Sequence, residues 1–244
     1  MRISRICSRL VIALSLWCVP CQSVAGAATV SGNVVLVSPE RHGAGPRNRS
    51  EVVVWLEPAA GMARPLSSAP RAVTMDQRNR TFIPHVLAVE VGTAVDLPNN
   101  DPIDHNAFSN FDGQIFDVHL YSPRMSRRVV FRRPGMVRVF CNIHEEMSAV
   151  IAVLPTPYFA VTDANGRFEI TAPAGEYRLR FWHERAEPGA LPAERSLTIG
   201  EGATAIPETR IEIRGPATVA HKDKYGHDYA ARPPEYIFYP GVRR

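Results

Sequence analysis

The chain has 244 residues, 45% of them hydrophobic and 21% charged, a globular composition long enough for two modest domains. Its formal net charge of +4 falls to +1 once the three arginines of an N-terminal leader are set aside, so charge gives no ground for a nucleic-acid role. Three of the four cysteines, Cys7, Cys18 and Cys21, lie in that leader, which leaves Cys141 alone and excludes a disulfide scaffold.

The leader covers residues 1–27. MRISRICSR is basic, LVIALSLWCV is apolar and AGA is a small-residue processing site, the layout of a secretory signal peptide. The apolar run is shorter than the roughly 20 residues of a membrane-spanning helix. The expectation is an exported, periplasmic protein with no stable membrane insertion. In an oxidising compartment a lone thiol calls for burial or for a metal.

Downstream, strands follow one another. TVSGNVVLV and SEVVVWLEP are rich in β-branched residues and bounded by Gly, Pro, Asn and Ser. HVLAVEVGTAVDLPN, RRVVFRRPG, MVRVFC, SAVIAVLP, GRFEITAP, EYRLRFWHE and RSLTIG continue the pattern, and no window sustains helical spacing. The fold class expected is all-β, a sandwich or barrel. Residues 28–72 supply strands whose domain the sequence does not assign, and 73–154 form a first domain. Pro155 and Pro157 mark a boundary, 155–214 form a second β-domain, and 215–244 an extended tail. In the second domain, Asn165-Gly166 and Ala174-Gly175 read as turns of two successive hairpin strands. Asp163 begins what resembles a calcium loop, but no glutamate stands at the closing position.

Chemistry concentrates at FCNIHEEMSA. Period-2 alternation in MVRVFC puts Val137, Val139 and Cys141 on the inward face. Cys141, His144 and Met147 then follow at intervals of three, between one strand and the next. His105, in the polar loop NNDPIDHNAFSN, offers a second imidazole. Two His and one Cys in a plane with a weak axial Met are the ligands of a blue-copper centre. From the residues alone, a buried inert thiol and a tetrahedral zinc site with a nearby Glu also stand. His144-Glu145 is no zinc-protease helix, because Ser148 occupies the place of the second histidine. His85, His119 and His183 sit in strand-like runs and read as hydrogen-bonded or surface residues. His221 and His227, with Asp223 or Asp228, read as solvated tail or a second weak copper site. Arg127 and Arg128 are expected at the same end as Cys141, either as solvated surface or as a patch that steers an acidic partner.

Phe82-x-Pro84, Pro98-Asn99, His105-Asn106 and Cys141-x2-His144-x2-Met147 together resemble the cupredoxin family, with ligand gaps most similar to amicyanin. FSNFDGQIFDVHLY and PYFAVTDANGRFEI resemble cupredoxin-domain proteins of the methylamine-utilisation type. The likeness covers residues 73–154, and the part after 155 resembles, less specifically, a carboxypeptidase-regulatory-like β-domain. It implies a Greek-key cupredoxin β-sandwich with an additional small β-sandwich. The implied cofactor is one type 1 copper on His105, Cys141, His144 and Met147, with the Asn106 amide bonded across to the cysteine loop. No nucleophile–base pair is legible, so the expectation is an electron carrier and not an enzyme, serving a redox protein such as a c-type cytochrome or dehydrogenase. The alternative is a copper-binding or copper-delivery protein without redox role. Glu145 and Glu146 depart from the family, which carries apolar residues between the second histidine and the methionine.

Overall fold

SAVIAVL carries no charged residue, and every one of its seven positions is buried. A strand apolar on both faces needs cover on both faces, and this requirement organises the molecule. The computed structural model describes residues 26–38, 46, 48–62, 72–110, 113–186, 189, 191, 194–215 and 221–229. Residues 1–25 of the segment read as a leader lie outside them, while Gly26 and Ala27 at its end are described, Ala27 as the first residue of a strand.

The described residues hold eighteen strands. They are β1 (Ala27–Val37), β2 (Val53–Pro58), β3 (Val73–Thr74), β4 (Asp76–Arg78), β5 (Thr81–Ile83), β6 (Val86–Glu90), β7 (Ala94–Pro98), β8 (Phe108–Ser109) and β9 (Phe116–Asp117). There follow β10 (Ser126–Val130), β11 (Gly135–Phe140), β12 (Ser148–Leu154), β13 (Phe159–Val161), β14 (Arg167–Pro173), β15 (Gly175–Trp182), β16 (Arg195–Ile199), β17 (Ala203–Ala205) and β18 (Thr209–Glu212). No described element is a long helix, and none is long and apolar enough to cross a membrane. The all-β expectation holds.

Four larger sheets stack over three apolar seams. The sheet β6-β12-β11-β8-β9 faces β10-β7-β3, and Val89, Val95, Leu97, Val137, Val139, Ile151 and Val153 fill the seam between them. The sheet β13-β2-β15-β16 faces a sheet centred on β1, across Val30, Val34, Val54, Leu56, Ile170, Leu179 and Phe181. The third seam joins the two sandwiches: Ala152 and Leu154 of β12 meet Val53 of β2, with Trp55 and Trp182 packed alongside. Each fully buried aliphatic side chain here contributes about 1.5–3 kcal/mol. At the edge of this seam the Glu184 carboxylate accepts from His85 at 2.6 Å and from Arg138 at 3.1 Å.

The first strands, unassigned by sequence, join the later ones. β1 pairs antiparallel with β14 and parallel with β17 and β18, and β2 lies between β13 and β15. This corrects the hairpin expectation for β14 and β15. Only Ala174 separates them, too little chain to fold back, so the strand crosses to the opposite sheet, and β1 and β2 supply the pairing. The Asp163 turn is closed by its own side chain, which accepts from the Asn165 and Arg167 amides. Gly166 there has φ +84°, and a Cβ would stand 2.0 Å from the Val34 carbonyl oxygen. Only glycine fits.

Candidate metal centre

Two loops at one end of the first sandwich carry the candidate ligands. The first leaves β7, and the buried Asn99 side chain shapes it by donating to the Ile103 and Tyr121 carbonyls and accepting from the Asp101 amide. His105 is then fixed by a two-way backbone pairing with Tyr121, at 3.1 and 2.8 Å. The Tyr121 hydroxyl donates to the Leu97 carbonyl, and burial pushes its pKa up to about 12, so it remains a phenol. The second loop closes the β11–β12 ladder. Cys141 N–H donates to the Met147 carbonyl and Met147 N–H to the His144 carbonyl, so the thiol and thioether residues stand opposite each other where the ladder ends.

The structure brings His105, Cys141 and His144 together. Nδ1 of His105 lies 3.1 Å from Nδ1 of His144, and the Cys141 Sγ lies 3.8 Å from the first and 3.5 Å from the second. His105, Cys141 and Met147 are fully buried, and His144 is 5% exposed. Met147 packs in the same apolar cluster as Cys141. A circle through the three donor atoms has a radius of about 2.0 Å, close to first-row metal bonds of about 2.0–2.1 Å to imidazole and about 2.3 Å to thiolate. The donor set fits a metal ion in the plane of the three atoms.

Asp101, which the sequence reading missed, sets the polarity of this triangle. Its carboxylate lies 2.7 Å from His105 Nε2 and also accepts the backbone N–H groups of Asn79 and Arg80. Holding a proton on Nε2 leaves the Nδ1 lone pair facing the sulfur. Burial lowers the His105 pKa, which favours the neutral imidazole a metal requires. Asp101 itself is raised by burial, but the Arg80 amide, His105 and the Asn79 amide outweigh this and hold it below the usual carboxylate range. The only signal in the sequence is a carboxylate four residues before the histidine.

Other expectations meet a mixed outcome. The Asn106 amide does not reach the cysteine loop; it donates to Asp117 at 2.8 Å, because β9 runs beside its loop. His85 is bonded to Glu184 and to the Ser148 carbonyl, and His183 is buried at the seam. His119 is exposed beside Asp117. His221 stacks on Phe140, and His227 pairs with Asp223 at 3.4 Å. Among the described residues, His105, Cys141 and His144 form the one cluster of His, Cys or carboxylate groups able to hold a metal. Arg127 lies over the Tyr121 ring, and Arg128 grips Asp96 with two nitrogens, both where β10 meets the end of β7. Glu146 lies 3.6 Å from Arg80, and both Glu145 and Glu146 are exposed.

No family model matches the chain. A methylamine utilization protein, MauL of Methylorubrum extorquens, is 37% identical over 59 residues, which are 24% of this chain and 52% of MauL. The chain thus spans about half the length of the curated relative it matches. Among solved structures, a Cu-containing nitrite reductase from Thermus scotoductus is 28% identical, with 40% of this chain and 25% of that one covered and a TM-score of 0.33. A purple cupredoxin from Nitrosopumilus maritimus is 22% identical over 34% of this chain and 98% of its own, with a TM-score of 0.30. A point mutant of amicyanin in its reduced state is 19% identical over 41% of this chain and 91% of its own, with a TM-score of 0.32.

Proposed function

We propose that this chain is a periplasmic cupredoxin that carries single electrons through one type 1 copper, which His105, Cys141 and His144 would hold with Met147 as a weaker fourth ligand. The observation that carries this reading is the closed triangle of two Nδ1 atoms and one Sγ with a radius of about 2.0 Å, built from two loops 36 residues apart. The likeness to MauL over 59 residues supports the same reading. When bound, the copper supplies a one-electron couple between Cu(I) and Cu(II).

The chain's own residues supply everything else. Asp101 keeps the His105 Nε2 protonated and its Nδ1 available. Full burial of His105, Cys141 and Met147 excludes water and hence a substrate from three sides of the site. The β11–β12 ladder fixes the Cys141 and Met147 backbones before any metal arrives, so a change of charge need move little. His144, on the outward side, is the member of the set with residual exposure and the natural route for an electron. The partner is an exported redox protein such as a c-type cytochrome or a dehydrogenase. The second sandwich is a carboxypeptidase-regulatory-like β-domain that carries the first.

Adding Cu(II) to the mature protein should produce the intense visible thiolate-to-copper charge-transfer band, and Cys141→Ser should abolish it. A wild-type protein that remains colourless defeats the reading.

A further inference from the structure

We propose that residues 221–229 form a clasp that binds both ligand loops together, with Lys224 and Tyr229 as its positioning residues. The purpose of the clasp rests on the copper reading, whereas its contacts belong to the metal-free chain.

The contacts on Phe140, Cys141 and Asn142 fall on a candidate ligand or its neighbours, and the contact on Asp117 falls on the residue that holds Asn106. Asn106, which follows His105, donates to Asp117 Oδ1 at 2.8 Å. The other carboxylate oxygen of Asp117 accepts from Lys224 Nζ at 2.7 Å. Lys224 N–H in turn donates to the side chain of Asn142, which follows Cys141, at 2.8 Å. Five residues on, the Tyr229 hydroxyl donates to the Cys141 carbonyl at 2.7 Å. The His221 ring stacks on Phe140 at 4.3 Å between centroids and meets Tyr229 edge-on at 5.3 Å. The segment is shaped for this by Asp223, whose side chain accepts the Tyr225 and His227 amides. The link between the loops that Asn106 does not make directly therefore runs through Asp117 and Lys224.

Such a link acts on preorganisation. Opening the cysteine loop exposes a sulfur that is otherwise fully buried, and it separates the ligands that a metal needs together. The Lys224–Asp117 bond is charge-assisted on side chains only 22% and 28% exposed, so solvent weakens it less than a pair on open surface.

The test is iodoacetamide alkylation of metal-free protein, followed at Cys141 by peptide mass spectrometry so that Cys7, Cys18 and Cys21 do not count, together with copper loss to a chelator from loaded protein. Tyr229→Phe removes the hydroxyl from the Cys141 carbonyl and from His221 Nδ1 and should speed alkylation about fivefold or more, and Tyr229→Phe with Lys224→Met more than tenfold. Asp228→Ala, at a side chain 88% exposed on the same segment, should stay within twofold of wild type. Copper release should accelerate in the same order while the thermal midpoint stays put. Alkylation of the double variant within twofold of wild type overturns the clasp, as does a gain that only tracks a fall in global stability. Faster alkylation in a protein that takes up no copper sinks the copper reading and leaves the clasp standing.

Discussion

Oδ2 of Asp101 lies 2.7 Å from Nε2 of His105, and both side chains are buried. The carboxylate also takes two backbone amides, from Asn79 and Arg80, so a single anionic group orients the imidazole and completes the turn around it. Asp101→Asn leaves one oxygen for three donors and turns an NH2 group toward another donor. Copper affinity should fall about 10–100-fold. Competition with a chelator of known affinity measures this, and an unchanged affinity would mean that the histidine is oriented by its backbone alone.

Met147 has no exposed surface and packs among the aliphatic side chains around Cys141. Met147→Leu conserves volume and should cost less than about 1.5 kcal/mol of stability. With Met147 as the proposed fourth ligand, this variant would remove its sulfur and should raise the reduction potential, while Met147→Gln, which offers an oxygen, should lower it. Redox titration of both variants decides the point. Wild-type potentials in both would reduce Met147 to a packing residue.

Much of this was legible in the sequence, and the omissions have a physical cause. Period-2 alternation in MVRVFC gave the inward direction of Cys141, because sterics fix side-chain alternation along a strand. Residue types and order were enough to choose His105, Cys141, His144 and Met147, and the structure places the first three donor atoms together. Asp101 and Lys224 escaped notice because a carboxylate or a lysine in a polar loop is ordinarily solvated. Only the fold brings Asp101 under an imidazole and Lys224 onto Asp117. The pairing of β1 with β14 was equally unreadable, since strand partners so far apart in the chain leave no local trace. Ala174-Gly175 carries the local signal of a hairpin turn, but with only Ala174 between β14 and β15 the chain crosses to the other sheet instead of folding back.

Glu145 and Glu146 place two carboxylates beside His144, but they are not equivalent. Glu146 lies 3.6 Å from Arg80, while no ion pair to Glu145 is formed among the described residues. Negative charge near the site stabilises the oxidised metal, so removing it should raise the potential. Glu145→Ala should therefore act more strongly than Glu146→Ala, each by less than about 1 kcal/mol in the redox equilibrium. The difference should shrink in about 1 M salt. Voltammetry at two ionic strengths tests this, and a lowered potential in Glu145→Ala would reverse the argument.

His183 gives the fold a pH dependence separate from the metal site. It is buried, and burial first, then the Arg185 charge, lowers its pKa to about 4. Its Nδ1 accepts the Arg185 amide at 3.2 Å, a bond that protonation at that nitrogen would break. Between its ordinary value of 6.5 and about 4, the unfolded chain therefore binds a proton that the folded chain refuses, and stability falls as pH falls. His85 has the opposite shift, raised chiefly by its bond to Glu184; its contribution is complete below pH 6.5 and is lost on the alkaline side. Burial raises Glu184, but His85 and Arg138 outweigh this and hold it below 4.5, so its contribution is lost only at more acid pH. Between pH 6.5 and 4.5 His183 should supply about 2 kcal/mol of the loss, beside the contribution of His105, whose pKa burial also lowers. Urea unfolding at the two pH values should show a loss about 2 kcal/mol larger in the wild type than in His183→Asn, whose oxygen can still accept the Arg185 amide. Equal slopes in the two proteins would assign the acid sensitivity to another group.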